Sequence, residues 1–362
     1  MQPINIGFVG VGAISGIYLA NIGRRFPNIR VLGVCDLIRE RAERAVKKYR
    51  IPKLYEDMHA LFADPEIDIV LNITRPYEHF AVTKAALEAG KPVYSEKPLA
   101  ATLEEGTILR ELAAEKGLLL GGAPDTFLGS GIQTCRALID EGAVGRPVSA
   151  AAFLICRGHE SWHPDPEFYY KHGGGPMLDM GPYYLTALVN LLGPVRAVSG
   201  MAGVSFPQRT ITSKPHAGEI VDVEVPTYVT GLLQFESGAI GTIFTTFDVW
   251  YTDSARLEVY GAEGTLKIPD PNGFGGEVLL LKAGQGRYKK QPLRFAYRGN
   301  SRALGLSDMA AALQSGERPR ADVALTYHVL EIMSALHTSA KEARQVEIQS
   351  TFERGAPLNA KK

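Results

Sequence analysis

The chain has 362 residues, 45% of them hydrophobic, and its 39 basic and 39 acidic side chains leave no formal net charge at pH 7. That length predicts two domains of roughly 100–200 residues each, and the balanced charge, without a long like-charged run, argues against nucleic acid or an anionic membrane as partner. Three cysteines with no CxxC pair, no leader pattern and no apolar run long enough to span a bilayer predict a cytoplasmic protein without a disulfide framework.

Short β-branched runs at residues 4–9, 30–35, 67–73, 92–95 and 118–120 alternate with amphipathic helical patterns at 39–48 and 103–116. Strand and helix alternating at this spacing predict an α/β Rossmann-type doubly wound parallel sheet over residues 1–124. The first run closes on Gly10, Val11, Gly12, Ala13, Ile14 and Ser15, and the second ends in Asp36. The two glycines permit a tight turn and close approach to a pyrophosphate at a helix N-terminus, while Asp36 can accept from ribose hydroxyls. A third glycine is displaced to Gly16. The Asp36 carboxylate favours NAD, and Arg39 and Arg41 keep NADP open as the alternative.

Ligands of open parallel sheets sit beyond the carboxyl ends of the strands. That topology marks Thr74 and His79 after the third run, and Glu96 and Lys97 after the fourth, as cofactor-side candidates. Further on, Gly173, Gly174 and Gly175 precede Pro176, a first-turn proline, and the spacing predicts that Asp179 and Tyr183 share one face of the helix it opens. The glycines are expected to let backbone approach a ligand, and Pro182 to bend the helix or lie near its start.

From residue 148 the pattern turns strand-rich, with runs at 148–155, 195–204, 227–235, 239–249, 257–260, 265–268 and 278–281 joined by turn signals such as those at 236–239. Residues 125–362 are therefore expected to form an α+β domain with a mainly antiparallel open sheet, closed by a helix over about 322–341. Before the glycine turn, Trp162, Tyr169, Tyr170 and His172 offer stacking faces and donors suited to a sugar. The stretch HESWH at 159–163 matches the H-E-x-x-H pattern of zinc-protease helices, but Pro164 and Pro166 stop a helix there, so no metal is expected. It reads instead as a loop facing the cofactor cleft, with His159, Glu160, Trp162 and His163 as substrate contacts.

Taken together, the glycine turn with Asp36, the tripeptide Glu96-Lys97-Pro98, the segment 140–147 and the glycine turn leading to Asp179 and Tyr183 resemble the glucose-fructose oxidoreductase, inositol dehydrogenase and MocA family over essentially the whole chain. The resemblance implies an NAD(P)-dependent oxidoreductase of a sugar, glycoside or cyclitol, with Lys97, Asp179 and Tyr183 catalytic, and a homodimer or homotetramer built on the open sheet. Inositol dehydrogenases carry histidine where this chain has Tyr183, which resembles the tyrosine-type branch and brings in dihydrodiols or dicarbonyls as alternative substrates. Asp125 stands where many relatives have a basic residue and joins the substrate-side candidates. A non-catalytic NAD-binding regulator is the competing reading.

The implied chemistry has Tyr183 taking a hydroxyl proton, Lys97 lowering the tyrosine pKa and holding the substrate oxygen, and Asp179 orienting a hydroxyl or the lysine. A free tyrosine titrates about three units above neutrality, roughly 4 kcal/mol. One positive charge about 4 Å away supplies that much at an effective dielectric near 20.

Overall fold

The computed structural model describes residues 2–250 and 256–358. They form two compact units, one within residues 2–128 and 300–327 and the other within the described residues of 129–299 and 328–358.

The first unit alternates strand and helix: β1 (Ile4–Val9), α1 (Ser15–Arg25), β2 (Ile29–Cys35), α2 (Arg39–Tyr49), β3 (Lys53–Leu54), α3 (Met58–Ala63), β4 (Ile69–Asn72), α4 (His79–Glu88), β5 (Val93–Ser95), α5 (Leu103–Glu115) and β6 (Leu120–Gly122). The sheet is parallel, in the order β3-β2-β1-β4-β5-β6. Its strands read as continuous apolar runs because helices cover both faces, and Phe8, Ile69, Leu71 and Val93 are fully buried. Strand order reverses at β1, whose neighbours are β2 and β4, and the crevice for a ligand lies beyond their carboxyl ends. The turn after β5 is held by a capping box, in which Thr102 Oγ1 accepts the Glu105 N–H and Glu105 accepts the Thr102 N–H.

The second unit opens with α6 (Ser130–Asp140), β7 (Pro147–Ile155), α7 (Pro176–Leu192), β8 (Val195–Gly203), the short pair β9 (Gln208–Thr210) and β10 (Ile220–Asp222), then β11 (Tyr228–Phe235), β12 (Ile240–Thr246), β13 (Leu257–Gly261), β14 (Gly264–Ile268), β15 (Val278–Lys282) and β16 (Lys289–Gln291). After α8 (Leu304–Ser315), the long α9 (Val323–Glu342) and β17 (Val346–Glu347) end the chain. Nine strands form one sheet in the order β16-β15-β14-β13-β7-β12-β11-β8-β17, antiparallel except for β12 beside β7. Helix α7 packs on β7, β11 and β12, and it is apolar nearly all round because most of it is buried, Tyr184, Leu185, Leu188 and Val189 completely so. Pro182 sits inside α7, which runs through it to Leu192.

The predicted cut at 124/125 moves to 128/129, and residues 300–327 return to the first unit. Polar staples hold the returning segment. Asn21 Nδ2 donates to the Asn300 and Arg302 carbonyls at 3.2 and 2.9 Å, Arg25 donates to Ser301 Oγ at 2.7 Å, and the Gly122 N–H donates to the Ala321 carbonyl at 3.0 Å. Among the described residues no helix is long and apolar enough to cross a membrane.

Candidate active site

In the first unit the chain leaves β1 through Gly10 at φ +92°, a conformation reserved for glycine, and a Cβ there would lie 2.8 Å from the Ile73 carbonyl. Gly12, Ala13 and Ile14 are exposed above the N-terminus of α1, whose first turn carries no acidic side chain, and a Cβ on Gly12 would meet nothing within 4 Å. Asp36 Oδ2 accepts the Val11 N–H at 2.6 Å and Oδ1 the Ile38 N–H at 2.8 Å, so the carboxylate is locked at the end of β2 with lone pairs left for ribose hydroxyls. Leu37 beside it is fully exposed, and Arg39 is turned onto Glu43 at 3.0 Å. An open helix N-terminus, a backbone-lined turn and a fixed carboxylate fit a dinucleotide.

Several predicted contacts prove to be supports. Ser15 is buried and its hydroxyl donates to the Gly12 carbonyl at 2.7 Å, bracing the loop. Thr74 donates its hydroxyl to Asn72 Oδ1 at 2.7 Å, while Asn72 Nδ2 holds Thr83 and the His79 carbonyl. His79 is 1% exposed, and its ring nitrogens face the Pro98 and Thr74 carbonyls at 2.7 and 3.2 Å. Burial pushes its pKa down against the opposing pull of these two carbonyls, and the ring ties the turn after β4 to the turn after β5. Glu96 is buried with Oε1 accepting the Tyr18 hydroxyl at 2.5 Å and Oε2 the Lys97 N–H at 2.9 Å; it fixes the backbone that carries the half-buried Lys97.

Asp125 departs furthest from expectation. It is 1% exposed and accepts the Gly305 N–H at the start of α8 at 3.1 Å, which makes it an internal helix cap. Burial raises its pKa from 3.8 to about 7, against the opposing pull of the Gly305 N–H and Arg302. The folded state therefore binds this proton more tightly than the unfolded chain, and stability falls as pH rises from about 4 to about 7, by an amount on the order of 4 kcal/mol. Asp125→Asn keeps the accepting oxygen without the charge; urea titrations are expected to find it more stable than the parent at pH 8 and equal to it near pH 4, and equal stability at pH 8 would contradict the assignment.

In the second unit β7 runs out into HESWH, where the His163 N–H donates to the His159 carbonyl at 3.0 Å in a single turn that does not continue as a helix. The side chains face different partners. His159 Nε2 lies 3.0 Å from Asp179 Oδ2 in the first turn of α7. Glu160 pairs with Arg209, whose guanidinium also reaches Asp248 Oδ1 at 2.9 Å and the Arg157 and Phe247 carbonyls at 2.6 and 3.0 Å. Glu160 is thereby a structural ion rather than a sugar contact. His163 Nδ1 accepts the Asp165 N–H at 3.1 Å, and burial lowers the pKa of the ring.

Around His159 stand Tyr169, Phe247 and Trp162, with ring centroids 3.9, 4.7 and 5.1 Å away, and Trp162 is 62% exposed. Tyr183 is 7% exposed, one turn along α7 from Asp179. Of the glycines before α7, Gly174 is required by packing, because a Cβ on it would meet the Phe168 and Tyr169 carbonyls at 2.5 and 2.6 Å. Sequence reasoning named both His159 and Asp179 but not their pairing, for which a loop residue facing a helix start is no signal.

Comparison with known proteins bears on both units. Residues 4–122 match the family model described as an oxidoreductase family with an NAD-binding Rossmann fold, and residues 132–267 the GFO/IDH/MocA C-terminal domain. Scyllo-inositol 2-dehydrogenase (NAD(+)) of Bacillus subtilis is 27% identical over 269 residues, 74% of each protein. Levoglucosan dehydrogenase of Pseudarthrobacter phenanthrenivorans is 24% identical over 290 residues, 74% of this chain and 73% of its own. Among solved structures, an NAD binding oxidoreductase from Klebsiella pneumoniae superposes with TM-score 0.83 at 22% identity, covering 96% of this chain and 99% of its own. Levoglucosan dehydrogenase in complex with NADH and levoglucosan superposes with TM-score 0.83 at 21% identity, covering 96% and 100%. With both halves matched, the chain belongs to the GFO/IDH/MocA family of oxidoreductases and carries its NAD-binding Rossmann fold.

Proposed function

We propose that the protein is an NAD-dependent dehydrogenase that moves a hydride between a hydroxyl-bearing carbon of a sugar, glycoside or cyclitol and the nicotinamide. The observation that carries this reading is the presence, in a member of this family, of Lys97 just after β5 and of Asp179 and Tyr183 one turn apart on α7. Bound NAD supplies the hydride acceptor. Gly10, Gly12, Ala13, Ile14 and Asp36 hold it, Lys97 steadies the substrate oxygen, and Tyr183 takes the hydroxyl proton. Trp162, His163 and Tyr169 supply faces and donors for a polyol. Relatives named for inositol, levoglucosan and D-xylose dehydrogenases support the substrate class.

The three cysteines are free, which supports a reducing, cytoplasmic setting. The outward face of the nine-stranded sheet, with Met201, Leu232 and Ile240 exposed at 74%, 52% and 51%, supports self-association as a homodimer or homotetramer.

A panel of sugars, cyclitols and glycosides, offered with NAD and with NADP and followed at the reduced-nicotinamide absorbance, tests the reading. Turnover with at least one polyol and NAD is expected. Asp36→Ala is expected to raise KM for NAD by about 10–100-fold, the worth of hydrogen bonds to a charged group. Silence on every polyol despite measurable NADH binding would favour the regulator instead.

A further inference from the structure

His159 and Asp179 form a buried pair. His159 is 9% exposed at the exit of β7, its Nε2 is 3.0 Å from Asp179 Oδ2, and its ring is clamped by Tyr169, Phe247 and Trp162. A carboxylate only accepts, so the proton of a neutral His159 sits on Nε2 and the lone pair on Nδ1. Among the described residues Nδ1 has no hydrogen-bond partner. Asp179 and Tyr183 lie one turn apart on α7, which puts their side chains on one face, so the imidazole is anchored to the face that presents the Tyr183 phenol.

The charged and titratable groups about His159 are Asp179 and Tyr183 from α7, His163, Tyr169 and Tyr170 from its own loop and the turn after it, and, packed behind the loop, the Glu160, Arg209 and Asp248 cluster. Arg209 is engaged by its two carboxylates and two carbonyls, and burial lowers the pKa of His163. Asp179 is thus the charge in direct contact with the imidazole.

We infer that His159, oriented by Asp179, is the terminal proton acceptor of the oxidation, with Tyr183 as the relay between substrate and imidazole. This rests on the dehydrogenase reading above. As the carbon gives up its hydride, the hydroxyl proton passes to the Tyr183 oxygen and the Tyr183 proton passes to His159 Nδ1. The alcohol loses a hydride, which bound NAD would accept, and one further proton, which ends on an imidazolium beside the Asp179 carboxylate. Tyr183 is neutral before and after. Tyr183 then need not carry a charge, because it passes its own proton on as it receives the hydroxyl proton.

His159→Asn, which can still donate to Asp179, tests the relay. The variant is expected to keep its melting temperature and its NADH affinity, to lose about 10²–10³-fold in kcat with KM little changed, and to lose the acidic limb of its kcat–pH profile. Added imidazole should restore part of the rate to His159→Ala. Independently of activity, NMR of 15N-histidine-labelled protein should find His159 as the Nε2–H tautomer, and Asp179→Asn should abolish that preference. A kcat within about threefold of the parent with the acidic limb intact, or an Nδ1–H tautomer, overturns the relay while an active parent leaves the dehydrogenase standing. A parent inactive on every polyol defeats both.

Discussion

Tyr183→Phe is expected to lower kcat by about 10²–10⁴-fold, the usual worth of a positioned acid or base, with NADH binding unchanged. The substitution removes one oxygen from a side chain that is 7% exposed and leaves the ring to pack in α7, so a fall in turnover reports chemistry rather than unfolding. Lys97→Met keeps the stem and removes the charge; it should cost a similar factor, with the loss in kcat rather than in KM for NAD. If the two side chains act on the same substrate oxygen, the double variant should lose much less than the product of the single losses, because either change alone already disables the group. Steady-state kinetics on the four proteins of that cycle decides it. Near-parental turnover in both single variants, with cofactor still bound, would remove these residues from the mechanism. Fully multiplicative losses would leave both catalytic but acting independently.

The parts legible in the sequence are those whose signal is local. Each strand of the parallel sheet except β3 announces itself by a buried β-branched or apolar run, and β3 escapes because Lys53–Leu54 is only two residues long and half-buried. The long strands of the second sheet alternate in and out with the pleat, as in β11, and could be read with ends displaced by one or a few residues. Parallel pairing of β12 with β7 carries no such signal, because register is set by partners just over ninety residues apart, as Ile240 with Ser149. The same distance hides the return of residues 300–327, which is made by Asn21, Arg25 and Asn28 reaching across some 280 residues of sequence. In the candidate site, topology placed Gly10, Gly12, Asp36 and Lys97 at strand ends. What it could not weigh was whether a polar side chain spends its atoms on a ligand or on the fold: His79, Glu96 and Asp125 each look available in the sequence and are each used internally.

Arg209 is the side chain no motif pointed to, and its removal is expected to be the largest single loss of stability. It projects from β9 into a space where it, Glu160 and Asp248 have side-chain exposures of 4%, 11% and 4%. It donates to the two carboxylates and to the Arg157 and Phe247 carbonyls, and its Cζ lies 5.3 Å from the Tyr170 ring centroid. Thr227 Oγ1 completes the cluster with a 2.6 Å bond to Asp248 Oδ2. Arg209→Met fills the same volume but leaves two buried carboxylates facing each other without a cation, at a cost of about 3–5 kcal/mol. For a unit of this size that corresponds to a drop of about 6–20 °C in melting temperature. Turnover should fall as well, since the bonds to Glu160 and to the Arg157 carbonyl flank His159 and hold its loop against Asp179. Replacing all three ions, Arg209→Met with Glu160→Gln and Asp248→Asn, removes the unpaired charge and should recover much of the lost stability, because a buried ion pair contributes little net once its desolvation is counted. Differential scanning calorimetry separates the outcomes. A single Arg209→Met variant that melts within about 2 °C of the parent would mean the cluster is not what holds the loop. A triple variant as unstable as the single one would mean that packing by the guanidinium, rather than its charge, is the stabilising term.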